Sequence, residues 1–563
     1  MRTTTYDNTP TSRARGFPLS REARLSHHRG TEKHREGCWG FENDFEFETC
    51  IECPTSFSVL RCASVVKKTS RLAGERKGPA CRTPRRRGVV LVVVLVVVAM
   101  MAMIAASVIY QTRAEISASA AGAGRHQAKA AAMSGIIYTA AILKQSLQDP
   151  SVWTDNPDLF CNQLVCEDGG DKWYFTVYAP NPPDYKEPRY GVIDEAGKLN
   201  VNYVDEQVIK KLLAREENGD ELADCLLDWR EPGADPRPLG AKQEYYDSLS
   251  TPYICRRGPL VTIDELLLIK GFNAQVVYGN DANLNCILDP NENDGDESFP
   301  PDKADGKLDM GLRGLLTVAT WEPRPMDKLD LNRLNPNQIR NQLRDSGLSS
   351  ETIEFIQAYR AENNTFVHPS QLLEMTYTLK NDFTASPQSQ MKPKGTVLNS
   401  GIGREQLPTV MDRFVAFPGG GGRRGGGGGG GAMLLGLVNV NSASSEVLAA
   451  LLNDDSLARK ITDARDSLGS DEQTNTAWLH TQDVLDADQY KLMAPRLTTR
   501  SFQFRVFCVG FAYPSGRYCI LEATLDLSRV NPRITYLRDI TRLGMPFATD
   551  VEKERENRSN QAP

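Results

Sequence analysis

Histidine is scarce in this chain, with six in 563 residues, and His126, His368 and His480 are the three that follow residue 88. They are widely spaced, and neither an HExxH pair, a GxSxG elbow nor a Walker-type phosphate loop occurs. Those absences exclude the common zinc-hydrolase, serine-hydrolase and P-loop chemistries. Carboxylates are plentiful, but no pair stands apart from a solvated surface, so the expectation is a protein without catalysis. A second long apolar run is also missing, which excludes a polytopic membrane protein. Hydrophobic residues at 40% and charged residues at 25% exclude a wholly disordered chain, and the length suits two to four domains. Charge is unevenly spread. Residues 1–87 carry 18 Lys and Arg against 10 Asp and Glu, a net +8, whereas the remainder carries 48 against 62, a net −14. So acidic a body is a poor electrostatic partner for nucleic acid, and none is expected.

The one apolar run is Gly88–Thr112, GVVLVVVLVVVAMMAMIAASVIYQT, 25 residues without a charge. About 20 such residues cross a bilayer as a helix. Arg85, Arg86 and Arg87 precede it and nothing comparably basic follows, so the N-terminus is expected in the cytoplasm and the bulk of the chain outside. The run continues through an Ala-rich stretch without proline until Pro150, which predicts one helix over 89–147, weakened locally at Gly122, Gly124 and Gly135.

A basic cluster, a glycine, an immediate apolar helix and a long amphipathic continuation resemble the class III signal of type IV pilins and pseudopilins. The resemblance implies cleavage by a prepilin peptidase between Gly88 and Val89, followed by N-methylation. Family members mostly carry Glu at mature position five, where this chain has Val93; that departure is known in one subclass, the minor pseudopilin K of type II secretion. The leader, residues 1–87, is longer than such signals need. Its Cys38, Cys50, Cys53, Cys62 and Cys81 include a lone CxxC that does not make a four-ligand zinc frame. A disordered or mis-started leader is expected.

A pattern then occurs three times. Asn200-Val-Asn202-Tyr-Val204-Asp205 is followed by EQVIKKLL, Asp330-Leu-Asn332-Arg-Leu334-Asn335 by PNQIRNQL, and Asn439-Val-Asn441-Ser-Ala443-Ser444 by SEVLAALL. Asp205, Asn335 and Ser444 stand at expected N-caps. Each copy goes on to a second helix ending in LLDWR, FIQAYR or KITDARD, and to a third near 261, 366 or 478. A helix-hairpin-helix DNA module opens similarly, but its Gly-x-Gly hairpin is missing from all three copies. Segments 226–246 and 252–272 closely resemble the pseudopilin K family, where a helical domain interrupts a pilin-like fold.

Asp281, Asn283, Asn285, Ile287, Asp289 and Glu292 fit an EF-hand-type loop, with oxygen donors at positions 1, 3, 5, 9 and 12 and the Ile287 carbonyl at 7. Cys286 replaces the glycine that usually makes the sharp turn. Further acidic residues follow at Asp294, Asp296, Asp302, Asp305 and Asp309. Hard oxygen donors point to Ca²⁺, which the family resemblance also implies.

PGGGGRRGGGGGGGA, residues 418–432, reads as a flexible linker. Residues 172–179 read as a strand and 501–527 as a hairpin turning near Pro514-Ser515-Gly516. Cys508 and Cys519 across that hairpin, and Cys161 with Cys166, are candidate disulfides; Cys225, Cys255 and Cys286 remain, with one thiol left free.

The expected fold is α+β: a pilin-like long N-terminal helix and antiparallel sheet, formed by 149–199 and 501–545, with an all-α repeated insertion over 200–400, a third repeat over 433–500 and a disordered tail over 546–563. The resemblance implies a minor pseudopilin of the type II secretion system, capping or initiating the pseudopilus tip with minor pseudopilins of the I and J types and meeting the other pseudopilus subunits. Its place is the inner membrane, single-pass, with the bulk in the periplasm. A minor type IV pilin in adhesion or DNA uptake, and an anchored DNA-binding helix-hairpin-helix protein, share parts of the pattern.

Overall fold

The computed structural model describes residues 89–147, 149–168, 170–182, 187–335, 339–343, 346–385, 389–417 and 433–547. The leader with its five cysteines, Gly88, the 418–432 linker and residues 548–563 lie outside the described residues.

The absence of proline from 89–147 has the expected result: α1 (Val89–Gln145) runs for 57 residues without a break, about 85 Å at 1.5 Å per residue. Residues 89–123 are exposed throughout, and their apolar part is long enough to cross a membrane. Beyond them the helix buries one stripe: Gly124, Ala128, Ala131, Ala132, Gly135, Ile136, Thr139 and Leu143. The three- and four-residue spacing places these on a single face.

That face lies on an antiparallel sheet. Its strands β1 (Gln163–Glu167), β2 (Lys172–Tyr178), β4 (Gln503–Tyr513), β5 (Tyr518–Asp526) and β6 (Arg533–Asp539) are adjacent in that order, and β3 (Ile193–Asp194) pairs with the start of β4. Alternation along β4 sends Phe504, Val506, Cys508 and Ala512 into a core shared with α1. Phe507, Val509 and Phe511 enter a second core on the opposite face. With both faces covered, β4 reads as a nearly continuous apolar run instead of an alternating one. Small residues let α1 and the sheet approach closely. A β-carbon placed on Gly510 would stand 2.3 Å from the Ala128 carbonyl oxygen and the Ala132 nitrogen, and one on Gly135 would stand 2.5 Å from Cys508 Sγ. The glycines expected to weaken the helix are therefore split in role: Gly135 is a contact, while Gly122 has nothing within 4 Å.

The three sequence copies fold on one plan. Each opening strand pairs in parallel with the residues that close the copy: Leu199-Asn200 with Leu316-Thr317, Leu329-Asp330 with Phe414-Val415, and Val438-Asn439 with Leu497-Thr498. The asparagine at the third position of each opening clamps the backbone further on. Asn202 exchanges two hydrogen bonds with Leu260 at 2.9 and 2.7 Å, and Asn332 does so with Phe366 at 2.7 and 2.8 Å. Asn441 donates to the Gln473 carbonyl at 2.9 Å. The arginine ending each second helix returns to the same opening. Arg230 donates to Val201 and Val204, Arg360 to Asn332, and Arg465 to Val440 and Ala443. These contacts satisfy carbonyls that a tight loop would otherwise leave buried and unpaired.

Paired helices follow: α2 (Glu206–Leu213) with α3 (Gly219–Arg230) in the first copy, and α5 (Ser445–Leu452) with α6 (Asp455–Ser467) in the third. In the second copy a short helix, Ile339–Gln342, precedes α4 (Ser350–Ala361). Copies one and three share one core, which also takes in Leu373 and Leu407 of the second; the rest of the second copy keeps its own. Three expectations need correction. The third helices are short: 3₁₀ turns at Ile263–Leu268 and Pro369–Leu372, and one turn at Trp478–Thr481. Ser444 caps its helix through Val447 N–H at 3.3 Å, but Asp205 makes no such bond, its carboxylate being held by Arg496. Asn335 N–H donates to Gln342 at 3.1 Å, and residues 336–338, where its expected cap would act, lie outside the described residues. The body also extends past 545, since Phe547 meets the Tyr178 ring edge-on at 5.3 Å.

Two outcomes follow from this packing. Gly510→Ala drives a methyl into the α1 backbone and lowers stability by about 1–3 kcal/mol; Gly122→Ala, in open helix, is neutral or stabilising by up to about 1 kcal/mol. Equal effects in thermal melts would contradict the close helix–sheet contact. In the second copy, His368 Nδ1 accepts from Ser370 N–H at 3.3 Å, and burial lowers its pKa from 6.5 to about 4. The unfolded chain then binds the extra proton across that window, so this module loses stability as pH falls from 6.5 towards 4. Exchanging His368 for Asn keeps an acceptor and flattens that dependence, read by hydrogen exchange of α4 at several pH values.

Candidate metal loop and charged junction

Residues 281–292 close on themselves through side-chain oxygens. Asp281 accepts from Asn285 N–H at 3.0 Å and from Cys286 N–H at 3.2 Å. Asn283 Oδ1 accepts from Asn285 N–H at 2.9 Å, and Asn285 Oδ1 from Ile287 N–H at 2.8 Å. The two asparagine amides donate to Asp289 Oδ2 at 2.6 and 2.9 Å. Glu292 joins the ends, accepting from Ala282 N–H at 2.9 Å and Asp289 N–H at 3.2 Å. Positions 1, 3, 5, 9 and 12 of the expected loop are thus drawn into one network.

Burial pushes the Asp281 carboxyl up to about 6, although Arg313 pulls the other way, and pushes Glu292 up to about 7. Neighbouring carboxylates raise both further. Enclosed negative charge without a cation partner is costly. Among the described residues no three His, Cys, Asp or Glu side chains gather as a metal cluster, so a cation here would also draw on the asparagine side chains and on backbone carbonyl oxygen. Oxygen donors alone fit a hard divalent ion.

The turn places Cys286 at φ +61°, a conformation that costs a residue with a β-carbon about 1–2 kcal/mol. Its side chain offsets that cost by burial. Cys286 and Ile287 are 4% and 5% exposed and pack with Tyr174, Tyr178, Phe507 and Phe511 on the sheet face away from α1. The later acidic residues do not join the loop. Asp294 accepts from Ser298, and Asp302 from Asp294 N–H. Asp305 and Asp309 accept from the N–H groups of Lys307 and Gly311, and with Asp296 they are exposed.

Beside the loop lies a charged junction that sequence reading missed. Arg505 on β4 reaches Glu195 at 2.7 Å and Glu522 on β5 at 2.5 Å. Arg313 meets Glu522 at 2.7 Å, and Lys198 meets Glu195 at 3.2 Å. The opposing cations hold both Glu195 and Glu522 below the usual carboxylate range despite burial. For Asp194 burial raises the pKa, and its carboxylate accepts from Asn439, Ser442, Ser501 and Ala196 N–H. Sheet, first copy and third copy therefore meet here, around a cavity of about 330 Å³ that Asp194, Lys198, Asp281, Arg313 and Arg505 help to line. The available signal was Arg505 and Glu522, charges inside otherwise apolar strands.

The structure forms neither expected disulfide: Cys166, Cys508 and Cys519 are free thiols, as are Cys225, Cys255 and Cys286. Register explains the hairpin pair. Cys508 faces Leu521 and Cys519 faces Gly510, so the two cysteines are diagonal neighbours, roughly 7–8 Å apart in such sheets, beyond comfortable disulfide reach. Cys161 is buried at a helix end, while Cys166 is exposed on edge strand β1.

Arg505→Met removes the cation shared by two buried carboxylates and costs about 3–5 kcal/mol. A denaturant midpoint unchanged by that exchange would mean that the junction does not hold sheet and insertion together.

Comparison with known proteins adds a family. Residues 195–279, which run from the junction through the first copy to the edge of the metal loop, match the model of "Type II secretion system (T2SS), protein K". No curated protein matches the chain. Among solved structures, a chain of the GspK-GspI-GspJ complex from the enterotoxigenic Escherichia coli type 2 secretion system aligns at 11% identity, covering 76% of this chain and 99% of its own, with a TM-score of 0.35; at that level the likeness establishes no shared detail. What the comparison shows is therefore a module, residues 195–279, similar to that of type II secretion protein K.

Proposed function

We propose that this chain is a minor pseudopilin of the type II secretion system that acts at the tip of the pseudopilus, where it caps or initiates assembly together with minor pseudopilins of the I and J types and has no chemistry of its own. The observation that carries the reading is α1 itself: one unbroken helix whose apolar first part stands free and whose last part is built into the core. Such a helix can leave the bilayer and join a helical bundle without refolding. The remaining pieces of the reading are cleavage between Gly88 and Val89 by a prepilin peptidase, N-methylation, an inner-membrane anchor and a periplasmic body. Val93 in place of the customary acidic residue suits a subunit with no neighbour ahead whose amine needs neutralising. The bulk of the three helical copies suits a subunit above which nothing is added.

The loop at 281–292 is proposed to hold Ca²⁺, with Asp281, Asn283, Asn285, Asp289 and Glu292 giving side-chain oxygen and Ile287 its carbonyl. Its role is structural, a charge that lets buried carboxylates remain ionised.

Mass spectrometry of the mature N-terminus from a membrane fraction tests the assignment. N-methylated Val89 is the expected result. A chain that still begins at or before residue 87 would sink the pseudopilin reading and leave a plain membrane-anchored repeat protein.

A further inference from the structure

We infer that the cation loop is a latch: occupancy of the 281–292 ring holds Cys286 and Ile287 in the apolar face of the sheet, and loss of the cation releases them. The inference rests on the calcium reading above and adds a consequence that cation binding alone does not carry.

The argument is one of connectivity. Donors at Asn285 and at the Ile287 carbonyl flank residue 286, so the backbone that presents two donors inward is the same backbone that presents Cys286 outward. Cys286 and Ile287 are buried against Tyr178, Phe507, Val509 and Phe511, none of which belongs to the loop or to the copy that contains it. Leu284 and Cys286 both hold positive φ, +55° and +61°, so the docked loop is a strained conformation that packing must sustain. A glycine at 286 would relieve the turn but present nothing to the sheet. The sulfur side chain makes sense as a plug, and a plug between two ligands cannot stay seated if the ligands spread. Asp281, Asp289 and Glu292 repel one another when no cation is present, which favours spreading. The junction lies beside the ring, where Arg313 also acts on Asp281, but it is held by its own pairs with Glu522 and Glu195 and continues to anchor the insertion, so release is local instead of global unfolding.

The full-length protein carries its own reporters. Alkylation by iodoacetamide, mapped by peptide mass, is followed for every cysteine in detergent micelles with calcium or with a calcium chelator. Exposed Cys166 should react quickly in both, and Cys508, buried beneath α1, slowly in both. Cys286 should be slow with calcium and fast without it. If only the docked state binds, calcium at 100 times its Kd protects by roughly 100-fold. Glu292→Gln should make the Cys286 rate insensitive to calcium while Cys225 and Cys508 stay protected, which shows that the variant is folded; should it not fold, the wild-type comparison decides alone. Radiolabelled calcium uptake is measured on the same samples. Calcium that binds without changing the Cys286 rate overturns the latch and leaves the calcium site standing. No uptake at all overturns both.

Discussion

Arg505 stands near the start of β4 between Phe504 and Val506, and it is held there by Glu195 on one side and Glu522 on the other. Leaving any one of these charges unpaired in the interior would be strongly destabilising, whereas the set is mutually compensating. Arg313 and Lys198 extend it into the first helical copy. The arrangement needs β3, β4, β5 and the closing strand of that copy at fixed relative positions, because a buried ion pair tolerates little displacement. A hydrophobic contact would have allowed the insertion to slide across the sheet; a five-member ionic set fixes its register. The helix-and-sheet layer and the first and third copies are thereby locked together, and the cation loop is set down beside Arg313.

The sheet is consequently covered on both faces by different means. On one side α1 approaches through Ala128, Ala132, Gly135 and Gly510, with so little side chain between them that the backbones almost touch. On the other side the contact is made by aromatic rings, two loop residues and the charged set. The first surface suits a helix that must continue unbroken away from the body. The second suits an inserted unit, whose attachment depends on specific partners instead of on continuous packing.

Much of this was legible in the sequence, and the part that was not has a common cause. The long helix follows from composition, the three copies from their repeated N-x-N or D-x-N openings, and the loop from oxygen donors at fixed spacing; all are local patterns. The roles of Asn202, Asn332 and Asn441, and of Arg230, Arg360 and Arg465, lie in contacts about 20–60 residues away, and repetition alone shows that they matter, not what they touch. The junction joins residues 195, 313, 505 and 522, a separation over which no spacing rule operates. Cysteine pairing failed for a finer reason: a hairpin pattern fixes which residues lie near one another, but one step of register decides between directly opposite and diagonal. Cys286 shows the same limit, since a departure from the glycine of the loop pattern reads as a defect until the sheet beneath it is seen.

The order of the copies in the chain differs from their order in space, and loop closure accounts for it. Copies one and three share a core although the second, with its own core, falls between them in sequence. The chain leaves at Trp321–Pro323 and returns at Met433–Leu435, and these segments pair as antiparallel neighbours. The second copy closes its own ends through the bridge of Leu329-Asp330 with Phe414-Val415. An excursion whose ends already meet costs the surrounding fold little, because closure entropy grows only with the logarithm of loop length. The second copy can therefore be read as a guest in a unit formed by the first and third. Its attachments to that unit are surface contacts such as Arg404 with Asp483 and Asn475 with Asp412, of a kind that contributes little stability, and two buried leucines, Leu373 and Leu407, that pack into the host core. The ionic junction, the sheet and the cation loop all belong to the host, and so the parts on which the fold depends are kept out of the module that it carries.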